Sequence, residues 1–149
     1  MSRDETDAGA VASTPLSASE RDWLDGLYAV WNESGPEGLA RAAWHPGITW
    51  HDPPDAPDTG VFQGIDAVVE HLRDRLEAIG SATVTVNAAL WANRDTVLVE
   101  ISLRSGGRSS GIELDVPVFH VLHIDDGRVT EVWEYFQRDQ AVEAAGLRE

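Results

Sequence analysis

Between Ile112 and Ile124 every second position but one is apolar, a period that a β-strand satisfies. Val118, His120 and Leu122 share one face with Ile112 and Ile124, while Phe119, Val121 and His123 share the other. Asp125-Asp126-Gly127 follows as a hairpin signal, so Arg128 to Phe136 returns antiparallel. Two earlier runs, Thr83 to Ala92 and Thr96 to Arg104, are separated by Asn93-Arg94-Asp95, and a glycine-serine turn from Ser105 to Gly111 leads into the long strand. A meander of this length has to bury one face against other elements. The first half of the chain supplies helices for that purpose, so the order predicts an α+β fold rather than α/β.

In that first half, Ser19-Glu20-Arg21-Asp22 resembles a capping box, and Trp23, Leu27, Val30 and Trp31 follow at helical spacing. Gly35-Pro36 ends this helix. A short second helix is expected over Glu37 to Trp44, stopped by His45-Pro46-Gly47. The strand Ile48 to Asp52 and a proline-rich loop, Pro53 to Gly60, come next. A third helix follows Gly64, with Val68, Leu72, Leu76 and Ile79 on one face and Gly80 as its C-cap. Residues 1–16 are small, polar and acidic without periodicity and read as a disordered tail, which leaves 17–149 as a single domain. The tail after Arg138 has helical composition.

Charge and composition remove several function classes. A net charge of −15 over 149 residues argues against nucleic acid and anionic membrane surfaces as partners. Cysteine is absent, which excludes disulfides and thiolate chemistry, and every basic residue is arginine, which excludes a lysine Schiff base. With no segment of transmembrane length and no basic, apolar signal pattern at the N-terminus, the expected location is the cytoplasm. His45, His51 and His71 fall on separate elements, and His120 and His123 on opposite faces of one strand, so no metal is expected. Asp52, Asp55 and Asp58 are interrupted by prolines and lack the glycine of a calcium loop. No phosphate-binding loop or nucleophile elbow is present, and no cofactor is expected.

The residues left to carry chemistry are few. Asp52 ends its strand on the same face as Ile48 and Trp50, just where Pro53-Pro54 stops it. It is either the cap of a turn or a proton acceptor beside a buried aromatic. His120 is the one polar residue in an apolar row, and is either a hydrogen-bonded core histidine or a site residue. On the returning strand Thr130, Val132, Glu134 and Phe136 form one face, with Glu131, Trp133 and Tyr135 on the other. Thr130, Val132 or Glu134 is therefore the candidate neighbour of His120, according to register. Trp50 and Trp31 are expected to line a pocket, Trp133 to sit on the outer face, and Trp44 and Trp91 are open.

Three stretches together resemble the nuclear-transport-factor-2-like (NTF2-like) superfamily, in its SnoaL-like and ketosteroid-isomerase-like branch. They are Trp44-His45-Pro46-Gly47-Ile48-Thr49-Trp50-His51-Asp52-Pro53, Thr59-Gly60-Val61-Phe62-Gln63-Gly64 leading into Ile65-Asp66-Ala67-Val68, and the ending Ile124-Asp125-Asp126-Gly127-Arg128-Val129 with Glu134-Tyr135-Phe136 and Ala144-Ala145-Gly146-Leu147. The resemblance spans about residues 19–147. It implies a cone in which a curved antiparallel sheet wraps three N-terminal helices around an apolar pocket, and homodimers formed through the outer sheet face. It also implies a cofactor-independent isomerase, cyclase or dehydratase acting on a polyketide-like, terpenoid or steroid-like molecule, with a carrier for such a ligand, or a structural dimer, as alternatives. The family's base, an Asp before Pro, falls on Asp52. Its second acid falls on His120, or on Phe119 if the hairpin is counted differently, and Glu134 would orient His120. Tyr28, Trp31, Trp50, Val118, Leu122, Val132 and Phe136 would form the substrate walls. The family's tyrosine falls on Leu27, leaving Tyr28 about 100° further round the helix, so steroid isomerisation is not expected. The Asp-Arg-Asp arrangement of the limonene-epoxide-hydrolase-like branch is not found on the faces read as inward, and Gln137 stands where relatives often carry Asp.

Overall fold

The computed structural model describes residues 13–57, 59–80, 82–106 and 113–147. In chain order the elements are β1 (Thr14–Pro15), α1 (Ala18–Ala43), β2 (Trp44–His51), β3 (Val61–Gln63), α2 (Ile65–Ile79), β4 (Ala82–Trp91), β5 (Thr96–Gly106), β6 (Glu113–Asp125), β7 (Arg128–Tyr135) and α3 (Arg138–Ala144). The strands form one curved sheet in the order β1-β4-β5-β6-β7-β2-β3. The meander expected from the second half of the chain is its antiparallel body. The sheet as a whole is mixed, because β2 pairs with β7 in parallel. That pairing follows from connectivity: β2 comes from the helical half and joins the far edge of the meander in the same direction as the last strand.

The first helix begins two residues earlier than the sequence suggested. Ser17 caps it: its hydroxyl accepts from Glu20 N–H at 3.2 Å, and the Glu20 carboxylate accepts from Ser17 N–H at 2.8 Å. Gly35, at φ 70 and ψ −164, breaks α1 into two segments, with Pro36 opening the second. These segments and α2 are the three N-terminal helices of the expectation. The strand after α1 starts at Trp44, ahead of His45-Pro46-Gly47, and its pairing with β7 is irregular between Trp44 and Thr49. Thr14 and Pro15, expected inside the tail, pair with Trp91 and Leu90. Residues 1–12, Asp58, Ser81, the turn residues 107–112 and residues 148–149 lie outside the described residues.

Two apolar clusters sit on opposite faces of the sheet. The larger joins Leu24, Leu27 and Tyr28 of α1 and Val68 and Leu72 of α2 to Ile48, Trp50, Val118, Leu122 and Val132 of the inner sheet face. Asn32 fastens α1 across it, since its amide accepts from Val84 N–H and donates to Val84 C=O, each at 2.8 Å. The smaller cluster packs Ala141, Val142 and Ala145 of α3 and the turn after it onto Phe119, Val121 and Leu98 of the outer face. Phe119 and His120 therefore point to opposite sides, with His120 inward.

The β6–β7 hairpin closes with Asp126 and Gly127 at positive φ, 53° and 77°, the geometry of a two-residue turn. Asp125 pairs with Arg128 and Ile124 with Val129, but His123 pairs with Glu131. Thr130 is the extra residue, and its hydroxyl donates to the His123 carbonyl at 3.2 Å. Thr130 thus drops out of the face on which the sequence placed it. Beyond the bulge Val132 meets Leu122 and Glu134 meets His120.

Candidate active site

Asp52 follows the last residue of β2, and Gly60 is brought back beside it. Asp52 N–H donates to Gly60 C=O at 3.0 Å, and Gly60 N–H donates to Asp52 Oδ2 at 3.3 Å. The carboxylate is turned inward, as its shared face with Ile48 and Trp50 predicted, and is 9% exposed. Trp50 Nε1–H donates to Oδ1 at 3.2 Å. His71 Nε2 lies 2.8 Å from the same oxygen, and Arg75 Nη1 lies 3.5 Å from it. His71 and Arg75 are one helical turn apart on α2, so both reach the end of β2 from one side. Phe62 of β3 stacks on the His71 ring at 3.8 Å between centroids.

Arg75 is also the bridge to the second acid. Its Nη1–H donates to Glu134 Oε1 at 2.8 Å. The other oxygen, Oε2, lies 3.1 Å from His120 Nε2, and His120 Nδ1 lies 2.8 Å from the Tyr28 hydroxyl. An ionised carboxylate only accepts, so Nε2 of His120 carries the proton, and in the neutral ring Nδ1 accepts from Tyr28. Tyr28 stacks on His120 with centroids 5.9 Å apart, and Trp50 meets the same ring edge-on at 5.6 Å. The result is one continuous chain of polar groups: Tyr28, His120, Glu134, Arg75, Asp52 and His71. All but Arg75 and His71 are buried, and these two mark its solvent-facing end.

Electrostatics separates the roles of the buried Glu134 and Tyr28. Burial would push Glu134 up, but the hydrogen bond from His120, the charge of that ring when protonated, and then the charge and hydrogen bond of Arg75 outweigh it and hold the carboxyl down at about 2. Burial pushes the Tyr28 phenol far above its ordinary value, and the negative charge of Glu134 adds to the effect. Tyr28 is therefore a neutral donor and Glu134 a fixed anion.

Tyr28, expected among the substrate walls although offset from the family's tyrosine position, joins the network, because the buried stripe of α1 runs through Leu24, Leu27 and Tyr28, and a helix face broad enough for both adjacent positions carries either side chain inward. One expectation drawn from the resemblance needs correction. An acid–arginine–acid arrangement does exist, as Asp52–Arg75–Glu134, with Glu in place of the second Asp. It was missed because Arg75 lies on the flank of α2 rather than on its apolar row, and because a surface-like His71/Arg75 pair at i and i+4 gives no apolar signal. That spacing, opposite an acid at a strand end, is the one trace in the sequence that pointed to it.

The remaining expected residues divide by position. Trp50, Val118, Leu122 and Val132 are buried in the larger cluster around the network, and Trp31 packs partly buried against it. Phe136 lies beyond the end of β7 and is 39% exposed. On the outer face His51 stacks on Trp133 at 5.0 Å and pairs with Glu131 at 2.6 Å. Among the described residues no group of acids and histidines has the geometry to hold a metal ion, and no helix is long and apolar enough to cross a membrane. A cleft of about 430 Å³ between the second segment of α1 and the start of α2 shares no residue with the network.

Comparison with known proteins places the chain in a family. One structural match is TerC co-crystallised with polyporic acid, 18% identical with a TM-score of 0.67, covering 84% of this chain and 96% of that one. A structure named as a SnoaL-like polyketide cyclase from Jannaschia sp. CCS1 is 17% identical with a TM-score of 0.66, over 91% and 97% of the two chains. A protein of ketosteroid-isomerase-like fold from Catenulispora acidiphila, in complex with trimethylamine, is 17% identical with a TM-score of 0.64, over 85% and 94%. These likenesses show a shared NTF2-like fold. No curated protein matches the sequence. The SnoaL-like domain family matches residues 24–132, a stretch that carries Tyr28, Asp52, His71, Arg75 and His120 on their elements, and the chain therefore belongs to that family.

Proposed function

We propose that this protein is a cofactor-independent enzyme that moves protons on an apolar, polyketide-like small molecule, as an isomerase, cyclase or dehydratase. The observation that carries this reading is the buried network itself. Two carboxylates, two imidazoles, a guanidinium and a phenol are joined inside an otherwise apolar cluster, where charged groups are costly to bury. Asp52 is the anion of a proton-accepting end. Tyr28 is the neutral donor of the other end: its single O–H proton, given to His120 Nδ1 at rest, turns to the oxygen on which charge develops. Trp50, Trp31, Val118, Leu122 and Val132 are the apolar walls, and Phe136 stands at the rim. The partner copy of a homodimer would meet the part of the outer sheet face around His51 and Trp133 that α3 leaves uncovered, and the cytoplasm is the expected compartment.

The test is exchange of α-protons for deuterium in 2-tetralone and related bicyclic ketones, followed by NMR in D2O. The expected result is exchange well above buffer by the wild-type chain and a fall of about 100-fold or more in Asp52→Asn. Absence of exchange across the ketones overturns the reading. A second reading, a binding module for the same class of molecule, is favoured by one observation: both ring nitrogens of His120 are already engaged within the protein. Retention of a ligand unchanged by wild type and Asp52→Asn alike would support it.

A further inference from the structure

We propose that the proton is taken by His71, through Nδ1, and that Asp52 is the residue that positions it. The inference rests on the proton-transfer reading above and assigns its accepting atom.

Asp52 is poorly placed to accept a proton itself. Its Oδ1 already faces Trp50 Nε1–H, His71 and Arg75, its Oδ2 takes the Gly60 N–H, and its side chain is 6% exposed. Both of its oxygens are therefore engaged by donors within the protein. The same contacts define His71. Because the carboxylate only accepts, the 2.8 Å contact requires the proton on Nε2, and the ring's lone pair then lies on Nδ1, on the far side of the imidazole. Among the described residues Nδ1 has no hydrogen-bond partner, and the side chain is 16% exposed, the more open member of the pair. Phe62, stacked at 3.8 Å and 17°, keeps the ring in one plane. The arrangement is that of an imidazole base oriented by a buried acid, the logic by which a third group aims a catalytic histidine. His120 differs: Tyr28 and Glu134 occupy both its nitrogens.

In the step, the substrate C–H bond α to a carbonyl breaks and an N–H bond forms at Nδ1. The C–H electron pair becomes the enolate double bond, and the carbonyl oxygen takes the negative charge. The imidazolium keeps its Nε2–H on Asp52, so the new positive charge sits against an existing negative one. Return of the proton from Nδ1 to the same carbon gives exchange, and to another carbon of a conjugated enolate an isomer, with no oxidant or reductant involved.

The test uses the full-length chain labelled with ¹⁵N and two readouts. Long-range ¹H–¹⁵N spectra identify which His71 nitrogen carries the proton. The expected state is Nε2–H with Nδ1 bare, a mixture of tautomers in Asp52→Asn, and recovery of the single state in Asp52→Glu. In the 2-tetralone assay, His71→Gln, which keeps a donor toward Asp52, is expected to exchange about 100-fold more slowly than wild type, with His71→Asn as a second variant and circular dichroism to establish that both fold. An Nδ1–H tautomer, or wild-type exchange by a folded His71→Gln, overturns the assignment to His71 alone. Absence of exchange by the wild-type chain overturns the proton-transfer reading beneath it.

Discussion

Glu134 shows how a single side chain can be both costly and indispensable. It is 7% exposed, and its two oxygens are divided between His120 and Arg75. Removing its charge leaves the partly exposed Arg75 guanidinium and the buried His120 N–H facing a neutral amide, so Glu134→Gln is expected to lower stability by about 2 kcal/mol, measured by urea denaturation. The pH dependence has a definite sign. The folded-state carboxyl sits below its unfolded value of about 4.3. Its contribution is therefore present in full above that value and is lost as pH falls toward about 2. The gap between wild type and Glu134→Gln should narrow between pH 5 and pH 3, and a constant gap would contradict the assignment. At this scale Asp52, His120 and Glu134 were legible because each interrupts an apolar pattern. His71 and Arg75 were not, because polar residues on the flank of an amphipathic helix look like any solvated edge.

Among the elements, two local irregularities aim the site. Gly35 adopts φ 70 and ψ −164, a region open essentially to glycine, and nothing lies within 4 Å of where a Cβ would stand. The cost of Gly35→Ala is thus backbone strain and not collision, about 1–3 kcal/mol, and should appear as a lower Tm with an unchanged fold by circular dichroism. The Thr130 bulge has a larger consequence. With unbroken antiparallel pairing continued from Ile124–Val129, His120 would face Trp133, and Glu134 would lie on the outer face. One inserted residue reverses this. The strands themselves could be read from period-2 alternation, but the bulge could not, because Thr130 carries no glycine or proline to announce it and alternates as well as its neighbours do.

For the molecule as a whole, the sheet has two uses. Its inner face and the N-terminal helices enclose the network, while α3 covers Phe119, Val121 and Leu98 on the outer face. Truncation before Arg138 is expected to uncover that smaller cluster, raising ANS fluorescence and promoting self-association in size-exclusion chromatography. A truncated chain with wild-type ANS response would mean that α3 contributes little there. Length, hydrophobic period and turn chemistry were enough to specify helices, strands and an α+β order, because these are local properties, repeated within each segment. They also placed an acid at the end of β2 and a histidine in an apolar strand. Which polar side chains meet depended on the parallel pairing of β2 with β7, on the bulge that turns Glu134 inward, and on the face that α2 presents to Asp52. The first and last relate segments far apart in the chain and the bulge sets the register of a hairpin, and only the packing of the whole tertiary structure decides them.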